Sequence, residues 1–347
     1  MLVYWLMLGY FLAGTAFSPT VANARESRPL LLVGAFLIAI LIGLRFEVGG
    51  DWEQYLLMFR YLGHVDLGRA LEVGDPGYQF LNWTVRQLGG SIWLVNLFCG
   101  LIFSWGLFRL AQTQPDPWLA IVVAIPYLVV VVGMGYSRQA VAIGILMAGL
   151  ASMERGGAKL VRFGIYVAVA ALFHRTVVVA FPLIAFASHR NTFVNGLLAL
   201  ALAVLLYDLF LQDAMEQFVR HYVEAEYNSQ GAAIRVVMNL VPAVLFFVFG
   251  RRLDFSPDQF LVWRNFSFAA VGLFILLLVL PSSTAVDRIA LYIIPLQIAV
   301  LSRIPGTLMA GSSGRVAVSA YSTIVLFVWL NFAAHAEYWF PYRLYPL

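Results

Sequence analysis

The stretch SIWLVNLFCGLIFSWGLFRL (91–110) decides the fold. It runs twenty residues with its one charge, Arg109, at the very end. Its apolar side chains follow neither a period of two nor a single helical stripe, so a helix built from it is apolar all round. Such a helix must lie in a bilayer or deep inside a large protein. A hydrocarbon layer of about 30 Å needs about 20 apolar residues in helical form, which is the length present.

Working outward, the same pattern recurs along the whole chain. Of 347 residues, 62% are apolar and 12% charged, and the mean hydropathy is +0.84. A soluble domain is about half apolar and a quarter charged. The composition therefore excludes secreted enzymes, cytosolic domains, nucleic-acid binders and fibrous proteins. The single cysteine, Cys99, sits inside the opening run, so there is no disulfide framework or cysteine metal cluster.

Backbone groups in lipid must be hydrogen-bonded internally, so apolar runs become helices and polar clusters their connections. Spans are expected at about 1–17, 30–44, 91–110, 118–136, 138–153, 162–174, 176–188, 193–210, 235–250, 265–281, 288–302 and 316–333. That makes about twelve, some short or re-entrant, in one all-α transmembrane domain covering 1–347. The first run lacks a basic flank before it and a small-residue cleavage site behind it, so it reads as a retained helix.

Basic residues in short loops set orientation. One side holds Arg25, Arg28, Arg109, Arg155, Lys159, Arg162, Arg190, Arg251, Arg252, Arg264, Arg303 and Arg315 against five acids, for +7. That side reads as cytoplasmic. The other holds ten arginines and thirteen acids, for −3, and both termini. It also has the longer connections, 45–90 and 211–234, the second a lid-like loop. The chain shows no nucleotide-binding loop, soluble domain or internal repeat, so any chemistry runs at the outer face without ATP.

Arginines on the side where the orientation rule disfavours them are the main clue. Arg138 in YSRQA, Arg235 in GAAIR and Arg288 in VDR each read as opening a helix. An arginine there costs roughly 0.3–1 kcal/mol unless an anion shares the site. Guanidinium forks beside helix N-terminal amides suit phosphate. The other reading is pairing with nearby acids such as Asp287 and Glu226. In GLRFEVGGDWEQY (43–55), Arg45 emerges at the interface and Asp51 follows a glycine pair. Asp51 acts there as a base or as the positioner of an arginine, and pairing, which lowers a carboxylate's pKa, favours the second. Trp52 and Tyr55, with Tyr78 and Asn82 of DPGYQFLNW (75–83), offer stacking and hydrogen bonds to sugars, or anchor at the interface. His174 in ALFHRT has a side chain suited to taking a proton from a hydroxyl, or is a structural turn residue. Tyr227 and Gln230 in the 211–234 loop offer sugar contacts, or belong to a solvated connector. The histidines show no ligand spacing, so no metal site is expected.

GLRFEVGGDWEQY, DPGYQFLNW, YSRQAVA, ALFHRT, SQGAAIR, DRIALYIIP and EYWFPY, in this order, resemble the EpsG-type, Wzy-like polysaccharide polymerases of O-antigen, capsule and exopolysaccharide assembly. The resemblance implies a GT-C-like helical glycosyltransferase with periplasmic loops in the bacterial inner membrane. It implies transfer of a growing glycan from undecaprenyl diphosphate to the non-reducing end of a lipid-linked repeat unit, without metal or cofactor. Donor and acceptor are then both lipid-linked oligosaccharides, and a chain-length-setting membrane protein is an open partner. Carried onto this chain, Arg45, Asp51, Arg138, His174, Arg235 and Arg288 fall on the motif positions. On this reading Arg138, Arg235 and Arg288 hold diphosphate with Arg45 in support, His174 leads as base, and Asp51 is in reserve. Two other classes stay open: a ligase passing finished glycan to another acceptor, and a flippase for a lipid-linked sugar.

Overall fold

The computed structural model describes residues 1–17, 27–153, 159–185, 187, 231–280, 283–309 and 312–346. The expected runs within these residues are helical. They form α1 (Leu2–Phe17) and α2 (Arg28–Gly43), then three short helices, α3 (Trp52–Tyr61), α4 (Leu67–Glu72) and α5 (Pro76–Gln87). α6 (Ile92–Ala111), α7 (Pro117–Ala124), α8 (Ser137–Ser152), α9 (Lys159–Ala171) and α10 (Phe181–Ala185) follow. From Gly231 onward come α11 (Ala232–Phe249), α12 (Pro257–Val279), α13 (Ser283–Ala290), α14 (Pro295–Leu301), α15 (Ile304–Thr307) and α16 (Ser312–Phe332). The all-α expectation holds apart from one ribbon, in which β1 (Arg45–Phe46) pairs antiparallel with β2 (Arg343–Leu344). The 193–210 run lies outside the described residues.

The core is a central hairpin. α7 continues into a π-helical stretch, Ile125–Gly133, turns at Met134–Tyr136 and returns as α8. Pro126 removes one helical donor, and the widened π geometry absorbs that loss. From Trp118 to Ser152 every residue is buried except Tyr136 and Arg138, at the tip. α6 packs along α8 on one side and along α2 on the other. The approach of α6 to α8 is backbone to backbone: a Cβ placed on Gly106 would run into the Gly144 carbonyl oxygen. Small residues permit such contact between membrane helices.

The described residues do not confirm the expected twelve spans. Among the described residues four helices are long and apolar enough to cross a membrane: α6, Ala232–Arg252, α12 and α16. They become five if Ser283–Ile293 and Pro295–Thr307, bent by 45°, form one broken span. A 16-residue helix such as α1, α2 or α8 is about 24 Å long, short of the hydrocarbon thickness.

The two polar ends separate as the charge count indicated. Each ion pair among the described residues joins partners assigned to the same side: Arg315–Asp116 and Lys159–Asp258 at one end, and Arg138–Asp75, Arg235–Asp287, Arg69–Glu72 and Arg343–Glu47 at the other. The 45–90 connection is mostly helical, formed by α3, α4 and α5.

Candidate functional site

The second end gathers side chains from five separate segments around the hairpin tip. Arg138 lies in the first turn of α8, half-exposed, with Nη1 3.0 Å from Asp75 Oδ2. Asp75 stands just before α5, and an Asp-Pro helix start normally places the carboxylate as a cap. Here its side chain makes no cap bond. It reaches across to the 172–175 turn, where Oδ2 lies 3.5 Å from His174 Nδ1 and Oδ1 accepts the Arg175 backbone N–H at 3.3 Å. Two backbone ties fix this junction: Gly77 N–H donates to Leu172 O at 2.8 Å, and Arg175 Nη2 donates to Gly74 O at 3.1 Å.

Burial pushes the Asp75 carboxyl up, but the facing His174 imidazole, the Arg138 charge and the Arg175 amide outweigh this and hold it below the usual range. Burial pushes His174 below the usual imidazole range, with Arg138 and Arg288 adding to the effect and Asp75 opposing it. The imidazole is thus neutral at physiological pH, as a proton acceptor must be.

Asp51 follows the turn that Gly49 makes at φ +101°, where a Cβ would meet the Met134 carbonyl oxygen at 2.5 Å. Among the described residues it has neither a side-chain hydrogen bond nor an ion pair, although Arg288, Arg138 and Arg45 all exert their charge on it. Burial exceeds their combined pull, so its carboxyl is raised above the ordinary value. This corrects the expected direction: Asp51 is a stronger base than a paired carboxylate.

Arg288 lies over the Tyr136 ring, 4.4 Å from its centroid, and its carbonyl accepts the Gln139 amide at 2.8 Å. It sits in the last turn of α13, not at a helix opening, because that helix starts at Ser283, five residues earlier than the apolar pattern indicates. Arg235 does lie in the first turn of α11. Its Nε is 2.5 Å from Asp287 Oδ1 and its Nη1 donates to Tyr127 at 3.0 Å, so it has a carboxylate of its own.

The remaining candidates turn inward. Arg45 is 1% exposed and donates to the carbonyls of Val48 and Ile42 and to Ser137 Oγ, which puts it behind the site as a tie between β1 and α8. Trp52 packs among Phe46 and Trp93, and Tyr55 against Tyr78. Trp52, Tyr55, Tyr78 and Asn82 are all buried. They form wall, not an open sugar groove, because α3 and α5 lay their aromatic faces on one another and on α6. Tyr227 and Gln230 lie outside the described residues. The sequence reading passed over Asp75, Tyr136 and Gln139. Among the described residues no group of three or more His, Cys, Asp and Glu is placed to hold a metal ion.

Fold and site together define a polytopic helical membrane protein with an arginine–carboxylate–histidine cluster at one end. The chain belongs to the EpsG family, whose family model matches residues 29–344. Membership carries a general glycosyltransferase-like polymerase role in exopolysaccharide synthesis. No curated protein and no solved structure matches the chain.

Proposed function

We propose that this protein is a polysaccharide polymerase working at the periplasmic face of a bacterial inner membrane. It transfers a growing glycan from undecaprenyl diphosphate to the non-reducing end of a lipid-linked repeat unit. The observation that supports this most is the hairpin tip: in a core buried from Trp118 to Ser152, Tyr136 and Arg138 alone emerge, and they do so beside Arg288, His174 and Asp51. The acceptor hydroxyl attacks the anomeric carbon, and its proton passes to neutral His174. The sugar–diphosphate bond breaks, and the electron pair stays on the diphosphate against the Arg138 and Arg288 guanidinium groups. Charge placed in advance where it develops is the largest single source of such acceleration. Asp51 is the second candidate base. Arg235 joins the clamp only by leaving Asp287, and Arg45 serves from behind by fixing Ser137 at the start of α8.

A transporter for the same lipid is the second reading, favoured by the 45° bend of 283–307 next to the buried Arg235–Asp287 pair. Reconstitution of purified protein with lipid-linked repeat units and EDTA separates the two. Wild type gives a ladder of repeat units, and Arg138→Ala and Arg288→Ala each lose about 100-fold or more in turnover. His174→Ala with full turnover removes His174 as base, and loss of activity on chelation removes the metal-free scheme. Lipid movement between leaflets with no ladder selects the transporter.

A further inference from the structure

One oxygen of Asp75 is shared. Arg138 Nη1 at 3.0 Å and His174 Nδ1 at 3.5 Å both face Oδ2, while Oδ1 takes the Arg175 amide. Among the described residues Asp75 is therefore the one acid in direct reach of both the leading base and the leading diphosphate ligand. We propose that Asp75 is the positioning residue of this site, orienting His174 through Nδ1 and holding Arg138 beside it through the same oxygen. This rests on the lipid-diphosphate reading above and deepens it.

The chemistry follows from the atoms. A carboxylate at Nδ1 selects the tautomer with its proton there, which leaves the lone pair on Nε2 to take the acceptor's proton. The imidazolium that forms is then stabilised by the ionised Asp75, which does not itself take up the proton. When diphosphate engages Arg138, the guanidinium turns part of its charge to the phosphoryl oxygens and Oδ2 is left more fully to His174. Binding of the leaving group and strengthening of the base are thereby coupled through one atom. The placement of Asp75 is set by the Gly77–Leu172 and Arg175–Gly74 ties, which join segments about a hundred residues apart in the chain.

Among the described residues the charged groups facing His174 are Asp75 from the start of α5, Arg138 from α8 and Arg288 from α13, with Arg175 next to His174 in the chain and turned to Asp75, so their separate removal has predictable signs. The test uses the full chain in lipid nanodiscs. Diethyl pyrocarbonate labelling of His174, a reaction of neutral imidazole, is followed against pH by mass spectrometry of its peptide, with and without undecaprenyl diphosphate. Asp75→Asn moves the labelling midpoint down by about one pH unit, Asp75→Glu returns it toward wild type, and Arg138→Gln moves it up. Should Asp75→Asn fail to fold, Arg138→Gln still reads the shared oxygen. A midpoint unchanged in the folded variants overturns the proposal. Undecaprenyl diphosphate slows labelling in wild type. Midpoint shifts of the stated signs with no such protection leave the carboxylate–imidazole pairing standing and remove the diphosphate reading.

Discussion

Arg45 and Arg138 carry the same guanidinium, and their surroundings give them opposite duties. Arg45 is enclosed, its donors spent on two carbonyls and Ser137, whereas Arg138 is half-exposed beside Asp75. Arg45→Met leaves buried acceptors without a partner, at about 1–3 kcal/mol for each group so stranded. Its thermal midpoint in detergent therefore falls well below that of Arg138→Met, while Arg138→Met takes the larger loss in turnover. Equal midpoints for the two variants contradict this division. His174 adds a pH dependence with a definite sign. Its folded pKa lies below the unfolded value of 6.5, so the unfolded chain binds more protons as the pH drops through 6.5, and stability declines there. Thermal scans of wild type show that decline, and His174→Gln lacks it. At this scale the sequence announces reactive types but not their partners. Arg138 and His174 stand out on chemistry alone. Asp75 did not, because Asp-Pro before a helix is fully accounted for as a start signal, and only the fold reveals that the carboxylate points elsewhere.

Elements were legible wherever the bilayer rule and the helix rule ask for the same residues. The runs at 91–110 and 316–333 became α6 and α16 with nearly the expected ends. The runs at 118–136 and 138–153 were equally apolar for a different reason, since they form the enclosed hairpin. Aromatic faces misled in the same way: Trp52, Tyr55 and Tyr78 have the composition of a sugar platform, but pack as the wall between α3, α5 and α6. Gly106 and Gly144, by contrast, show their purpose only in three dimensions. A methyl group on Gly144 would stand 2.6 Å from the Phe103 Cα, and no side-chain rotation relieves a contact with backbone. Gly144→Ala accordingly destabilises by about 1–3 kcal/mol through overpacking. Gly272→Ala, on α12 with no atom within 4 Å of the added methyl, does not. Guanidinium-free thermal unfolding of the two variants side by side is the measurement, and parity between them would refute the close approach.

The whole molecule is closed by its last described residues. Segment 335–346 returns across the end that carries the site, and its ties reach four separate parts of the chain. Tyr4 donates to the Trp339 carbonyl at 2.8 Å, and the Trp339 indole donates to Val130 O in the π-helical stretch at 2.8 Å. Gly49 N–H donates to Tyr338 O at 2.9 Å, Tyr345 N–H donates to Leu44 O at 2.8 Å, and Tyr345 stacks on Trp93 with centroids 3.7 Å apart. In the sequence this stretch, HAEYWFPYRLYPL (335–347), shows its aromatic composition but not its connections. Two of those bonds land on either side of Glu47, in the loop that delivers Asp51, and a third lands on the hairpin leading to Arg138. The loop between α2 and α3 is tied from within by Arg45 to the Ile42 and Val48 carbonyls and from outside by β2 and Tyr338. Deleting residues 336–347 therefore releases the 44–51 loop while leaving the packed α6–α8 core in place. Hydrogen exchange reads the difference directly: amides of 45–52 lose protection by at least about 10-fold, equivalent to roughly 1.4 kcal/mol, while those of 140–150 keep theirs. Polymer formation falls with the loop's protection, since Asp51 and the Arg45–Ser137 tie are both set by it. Unchanged exchange across 45–52 would mean that the segment merely lies on the surface, and the closure of the fold would have to be sought within the helices themselves.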